Sequence, residues 1–151
     1  MPLDKYLNKD VIEIDLDVDT PIDVIRHAGQ LLVNANKVKL QYIEDMVNVY
    51  QNLGAYIVIA PGIAFPHSKP SEDVNETCVS FCSLKKPMNF GHPINDPVKF
   101  IFALGGRNET DHIEMLRELS EFLMEDSNLK ALSEMVSKDE FIQLLKKGGV
   151  R

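Results

Sequence analysis

Tyr56-Ile57-Val58-Ile59-Ala60 runs straight into Pro61-Gly62-Ile63-Ala64-Phe65-Pro66-His67-Ser68-Lys69-Pro70. The first five residues are all apolar and three are β-branched, which predicts a strand covered on both faces. The prolines at 61, 66 and 70, with Gly62, exclude a helix and predict a rigid, irregular loop directly after that strand. A doubly covered strand needs packed layers above and below it, which points to an α/β arrangement. Rigid loops at strand ends are where binding and catalytic groups concentrate, and Pro66 restricts the backbone just before His67.

The flanking sequence supplies the remaining layers. Val11 to Leu16, Val79 to Leu84 and Val98 to Leu104 have strand composition. Asp19-Thr20-Pro21 predicts a helix start, with Thr20 as cap, Pro21 at the first position, and an inward stripe of Ile22, Ile25, Ala28, Leu32 and Ala35. A second helix is expected from about Lys39 to Leu53, with Tyr42, Met46, Val49 and Leu53 inward and Gly54 ending it. Thr110 or Asp111 is the expected cap of a third helix with Ile113, Leu116, Leu119 and Leu123 on one face. Two shorter helices are expected near Ser127 to Val136 and Lys138 to Lys147. The expected fold class is α/β: a mixed, mostly parallel sheet flanked by helices on both faces, in one domain over residues 1–151.

The 151 residues are 44% hydrophobic and 26% charged, the composition of an ordinary globular chain. Lys and Arg number 16 against 23 Asp and Glu, a formal net charge of −7 that argues against nucleic acid as a ligand and suits a basic protein partner. The segment Met1-Pro2-Leu3-Asp4-Lys5 carries acid where a signal peptide wants a basic region. The most apolar stretch, Ala55 to Pro66, is broken by Pro61-Gly62 and is shorter than the ~20 residues of a membrane span. No membrane insertion and a cytoplasmic setting are therefore expected. Cys78 and Cys82 lie four positions apart on one expected strand, roughly 13 Å between Cα atoms, too far to bridge. With no second Cys/His pair nearby, no metal site is expected either.

Among motifs that carry chemistry, the phosphate-cradling glycine loops, Gly-x-Ser-x-Gly and His-Glu-x-x-His are absent. His67 is the leading candidate, since a neutral imidazole serves as base, ligand or nucleophile near neutral pH; the bland alternative is a polar loop residue. His112 falls in the first turn of the third helix, where the dipole disfavours a cationic ring and favours an anion. A phosphohistidine site built from the two is one reading, and a helix-start residue of no special role is the other. His27 reads as structural or exposed, and His92 as part of the Gly/Pro/Asn-rich turn Asn89 to Pro97. Glu114, Glu118, Glu121 and Glu125 read as a solvated helix face.

The stretch Gly54 to Pro70 resembles the active-site segment of enzyme IIA of the bacterial sugar phosphotransferase system, mannitol/fructose superfamily, and most closely its ascorbate-type branch. Asn89-Phe90-Gly91-His92, Asn95-Asp96-Pro97-Val98 and Asp111-His112-Ile113-Glu114-Met115-Leu116 carry the likeness further, over nearly the whole chain. The resemblance implies that His67 is phosphorylated on Nε2 by the histidine-phosphorylated carrier HPr, with His112 as the second active-site histidine. It implies transfer onward to a cysteine of enzyme IIB, which phosphorylates the sugar as the membrane component IIC takes it up, with no cofactor and no metal.

Lys69, Ser68 and Gly62 are the further residues expected to meet phosphate or a partner, and an apolar docking rim ringed by acid is expected near the Ile63-Ala64-Phe65 turn. Lys69 stands where that family usually has arginine; it keeps the charge but gives up the bidentate fork, for which Arg107 is a candidate substitute. Alternative readings are a regulatory domain whose His67 phosphorylation reports sugar status to a transcriptional or other partner, and a binding module that no longer transfers phosphate.

Overall fold

A computed structural model describes residues 3–149; Met1 and Pro2 of the acidic amino-terminal segment lie outside the described residues. The elements are β1 (Ile12–Leu16), α1 (Pro21–Asn34), α2 (Leu40–Leu53), β2 (Val58–Ala60), β3 (Ile63–Ala64), β4 (Cys78–Met88), β5 (Val98–Gly105), α3 (Glu109–Leu123), α4 (Asp126–Glu134) and α5 (Lys138–Gly149). The strands form one sheet in the order β1-β4-β5-β3-β2. It is mixed, as expected, but not mostly parallel: β1–β4 and β3–β5 are parallel, while β4–β5 and β2–β3 are antiparallel.

The doubly covered positions belong to β4 and β5, whose residues from Cys78 to Leu84 and from Ile101 to Gly105 are buried without interruption. Helices cover both faces. Ser80 Oγ donates to Ala28 O of α1 at 2.8 Å, while the next residue, Phe81, stacks on Phe141 of α5 with ring centroids 4.1 Å apart. Successive strand residues point to opposite faces, so these contacts place α1 on one side of the sheet and α5 on the other.

Residues 56–60 are not an inner strand. Gly54–Ile57 forms a 3₁₀ turn and β2 is a three-residue edge strand, which leaves Tyr56 61% and Ile59 45% exposed. The physical reason is the turn at Pro61-Gly62. Gly62 has φ 78°, the left-handed value that the third residue of a type II turn requires, and proline suits the position before it. The chain doubles back there, and Ile63–Ala64, expected as loop, becomes β3 and takes the inner place between β2 and β5.

The helices follow local rules with two rotations. Thr20 caps α1, its Oγ1 accepting from Asp23 N–H at 3.1 Å. In α2 the inward residues are Tyr42, Ile43, Met46 and Val47, while Leu53, expected inward, is exposed. The cap of α3 is Asn108, whose Oδ1 accepts from Asp111 N–H at 2.9 Å, rather than Thr110 or Asp111. The buried stripe of α3 is His112, Met115, Leu119 and Phe122, with Leu123, and Ile113 turns outward at 57% exposure. A polar residue heads that stripe, which is why counting apolar residues alone sets the helix face about one position off.

Phe141 is fully buried against Phe81 and Phe102 and fastens α5 to the sheet. Phe141→Ala is expected to lower stability by about 3–5 kcal/mol. Urea denaturation followed by far-ultraviolet circular dichroism measures this, and a loss below 1 kcal/mol would contradict the packing described.

Candidate functional site

β3 and β5 run parallel as neighbours, with Ile63 paired to Phe100 and Ala64 to Ile101, so their carboxyl ends emerge on the same side of the sheet. From β3 the chain continues through Phe65 and Pro66 to His67; from β5 it passes Gly106 and enters α3, which carries His112. The two imidazoles meet with ring centroids 5.4 Å apart, inclined by 48°. Gly106 makes this approach possible, since a Cβ on it would lie 2.4 Å from His112 Cβ and 2.8 Å from His112 Cα.

His67 is half-buried and held by one short bond, Nδ1 to Phe65 O at 2.6 Å. A carbonyl only accepts, so the ring proton sits on Nδ1 and Nε2 keeps its lone pair. Phe65 is itself fixed, edge-on to Phe102 with centroids 5.8 Å apart, its N–H donating to Ile57 O at 2.8 Å. Leu104 N–H donates to Pro66 O at 3.0 Å, tying the segment to β5.

His112 lives in a different environment. Its backbone N–H is spent on Asn108 O at 3.0 Å, its side chain is buried, and its Nδ1 has no hydrogen-bond partner. Burial, reinforced by His67, holds its pKa below the ordinary 6.5, against the weaker pull of Glu109. The ring is therefore neutral at pH 7. The start of α3 is pinned by Thr77, whose Oγ1 accepts Arg107 N–H at 3.1 Å and donates to Asp111 Oδ2 at 3.3 Å.

The other expected residues are distributed unevenly. Ser68 is nearly buried and its N–H donates to the Tyr42 hydroxyl at 3.0 Å, so that amide is not open to phosphate. Lys69 is exposed next to it. Gly62 lies at the other end of β3, roughly 16 Å of extended chain from His67, its N–H donating to Asn95 O at 2.9 Å. Its role is the hairpin turn, not phosphate binding. Arg107 donates from Nη1 to Val74 O at 3.1 Å, away from the part of substitute for the arginine fork. Ile63, Ala64 and Phe65 are themselves buried, and the exposed apolar residues nearby are Tyr56, its ring centroid 6.2 Å from that of His67, and Ile113, next to His112. Tyr56 is legible only through the hairpin, which folds it back beside His67.

The remaining polar candidates are structural. His92 Nδ1 accepts from Ile94 N–H at 3.1 Å and Asn95 N–H at 2.9 Å, and the Asp96 carboxylate accepts from the amides of Phe90, Gly91 and His92, so both residues build the turn. His27 faces Glu13 at 3.3 Å. Arg117 joins Glu114 and lies 2.7 Å from Glu121 and 3.6 Å from Glu118, so the acidic face of α3 is paired across its own turns. Cys78 and Cys82 are buried free thiols, and burial pushes that of Cys78 up to about 12 and that of Cys82 up as well, which makes both inert. Among the described residues no group of three or more His, Cys, Asp or Glu is placed to hold a metal ion.

Two histidines carried at the ends of adjacent parallel strands, on a mixed sheet between helices, define a paired-histidine α/β domain. Comparison with known proteins gives it a family: residues 5–148 match the phosphoenolpyruvate-dependent sugar phosphotransferase system, EIIA 2, and the chain belongs to that family. It is 29% identical over 135 residues to the ascorbate-specific PTS system EIIA component of Escherichia coli K12, covering 89% of this chain and 88% of that one. A solved complex of enzyme IIA and phosphorylated enzyme IIB for mannitol from Escherichia coli matches with a TM-score of 0.82 and 25% identity, over 93% of this chain and 96% of that one. The cryptic mannitol-specific enzyme IIA of the same organism shares the fold with a TM-score of 0.86 at 24% identity, over 97% and 99% of the two chains.

The depressed pKa of His112 makes stability depend on pH. The unfolded ring takes up a proton more readily than the folded one, so the unfolded state gains as pH falls below 6.5. The stabilising contribution is complete above that pH and is lost as pH falls through the folded value. Denaturation of wild type and His112→Gln across pH 5 to 8 is expected to show a steeper acid loss in wild type, and an NMR titration should give a His112 midpoint below 6.5. Parallel pH profiles with a midpoint above that value would contradict it.

Proposed function

We propose that the protein is a phosphocarrier of the sugar phosphotransferase system that takes a phosphoryl group from phospho-HPr on His67 Nε2 and hands it to a cysteine of an enzyme IIB. The observation that carries this reading is the bond from His67 Nδ1 to Phe65 O, which leaves Nε2 as a preset nucleophile beside a neutral second imidazole. Family membership and the solved complex of a related enzyme IIA with phosphorylated enzyme IIB support the direction of transfer.

In the first step the Nε2 lone pair attacks phosphorus in line, and the P–N bond to the donor imidazole breaks with its electron pair leaving on the donor nitrogen. In the second, a thiolate of the acceptor attacks the same phosphorus and the pair returns to Nε2. Neither step changes oxidation state or needs a cofactor. His112 supplies an N–H at the edge of the phosphoryl group, and Lys69 a cation at the mouth of the site. The arriving phosphate carries close to two negative charges, which opposes the burial of His112 and raises its proton affinity while the group is held. Positive charge is thus added where the phosphate sits and withdrawn when it leaves, so the ring stabilises the phosphoryl group only while it is held.

Tyr56 and Ile113 form the exposed apolar rim for both partners, and the net charge of −7 suits a basic donor surface. The reading puts the chain in the cytoplasm with its donor, reaching IIC only through IIB. Among the described residues no helix is long and apolar enough to cross a membrane.

Incubation with phosphoenolpyruvate, enzyme I and HPr is expected to add one acid-labile phosphoryl group to wild type and none to His67→Ala, read by intact mass and phosphorus NMR. Wild-type protein that stays unlabelled with competent HPr would overturn the reading. Tyr56→Ser and Ile113→Ser should each raise the half-saturating concentration of phospho-HPr, by about 10-fold, with a smaller change in maximal rate. Steady-state transfer assays measure this, and an unchanged half-saturation would remove these residues from the rim.

A further inference from the structure

Tyr42 lies in α2 and is fully buried. Its ring packs on Gly105, where a Cβ would stand 3.4 Å from Tyr42 Cε2. A phenylalanine would meet that packing equally well. The hydroxyl does something else. It donates to Leu104 O at 2.7 Å and accepts from Ser68 N–H at 3.0 Å. These bonds offset the cost of placing a polar atom in the core. Burial holds the phenol well above its ordinary pKa, so it keeps the proton it donates.

Both bonded groups adjoin the paired histidines. Ser68 follows His67 directly, and Leu104 stands two residues before Gly106, on which His112 rests. On the other side of His67, the Pro66 carbonyl accepts from the N–H of the same Leu104 at 3.0 Å. The residues flanking His67 are thus both anchored to one position of β5, one directly and the other through the Tyr42 hydroxyl.

We propose that Tyr42 is a positioning residue for phosphoryl transfer: its hydroxyl locks the backbone on the carboxyl side of His67 to β5 and so sets Nε2 against His112. The inference rests on the reading of His67 as the phosphorylated nucleophile. It gives a physical reason for a hydroxyl in this part of the core. In-line transfer depends on reacting atoms being held in place, and a displacement of about 1 Å costs as much as ~10²-fold in rate. Without the hydroxyl, Ser68 N–H is free to turn toward an incoming phosphate and draw the loop with it.

Single-turnover transfer from phospho-HPr tests this with wild type, Tyr42→Phe and His67→Ala, together with amide hydrogen exchange. Tyr42→Phe is expected to be labelled to the same final extent but on the order of 10-fold more slowly at saturating donor, with half-saturation unchanged. Exchange at the Ser68 amide should accelerate selectively in that variant. A wild-type rate in a folded Tyr42→Phe, or a loss seen only as weaker donor binding, would overturn the inference. So would a slower rate with an unaltered Ser68 amide. Absence of label on wild type would instead overturn the phosphocarrier reading, and the Ser68 exchange data would still decide whether the clamp exists. Should Tyr42→Phe fail to fold, exchange in wild type decides: a Ser68 amide exchanging like an open loop amide overturns the clamp.

Discussion

The carbonyl of Phe65 determines what His67 can do. A free imidazole divides its proton between two nitrogens, and a nucleophile at Nε2 requires the proton to be elsewhere. The 2.6 Å bond from Nδ1 meets that requirement, and its acceptor does not move because Phe65 is part of the core. Phe65 packs edge-on to Phe102, Phe102 lies 4.9 Å from Phe81, and Phe81 stacks on Phe141 of α5. A run of aromatic contacts thus connects the far helix to the oxygen that fixes the tautomer. The chemistry of the imidazole is an outcome of how the sheet packs.

The two imidazoles differ in a way that assigns them different work. His67 is half-buried and its Nδ1 is bonded; His112 is buried and its Nδ1 is orphaned. Burial, with the His67 ring 5.4 Å away, holds His112 below the ordinary imidazole range. A titratable side chain perturbed by burial beside a second ionisable ring is a feature of functional sites. The arrangement has a cost, an unmet buried nitrogen, which an ordinary core would avoid and which an anion at Nε2 would make useful.

Much of this is legible in the chain. Thr20-Pro21 announces α1, the apolar runs give β4 and β5, and a histidine set among three prolines and a glycine marks the loop that carries His67. What stays hidden is relational. Tyr56 to Ala60 has the composition of an inner strand, and only the turn at Pro61-Gly62 puts it at an edge. His112 heads the buried stripe of α3, so a hydrophobicity count that treats it as polar chooses the wrong face. The need for glycine at 106 arises from the approach of one backbone to another, and the bonds of the Tyr42 hydroxyl are to backbone groups remote in sequence. None of these leaves a local mark. The likeness of residues 54–70 to a known active-site segment carries the functional reading past them.

The parallel pairing of β3 with β5 has a consequence for how the chain acquires its activity. Residues 63 and 64 must find residues 100 and 101, with the long antiparallel pair β4–β5 formed in between. That is a non-local contact, paid for in loop-closure entropy before it brings any return, and such pairings set the pace of folding. Until it forms, His67 has no neighbouring imidazole and no fixed carbonyl, and its ring samples both tautomers. If His67 is the acceptor, a nascent or misfolded copy is therefore a poor one. On the phosphocarrier proposal, competence arrives with the finished sheet.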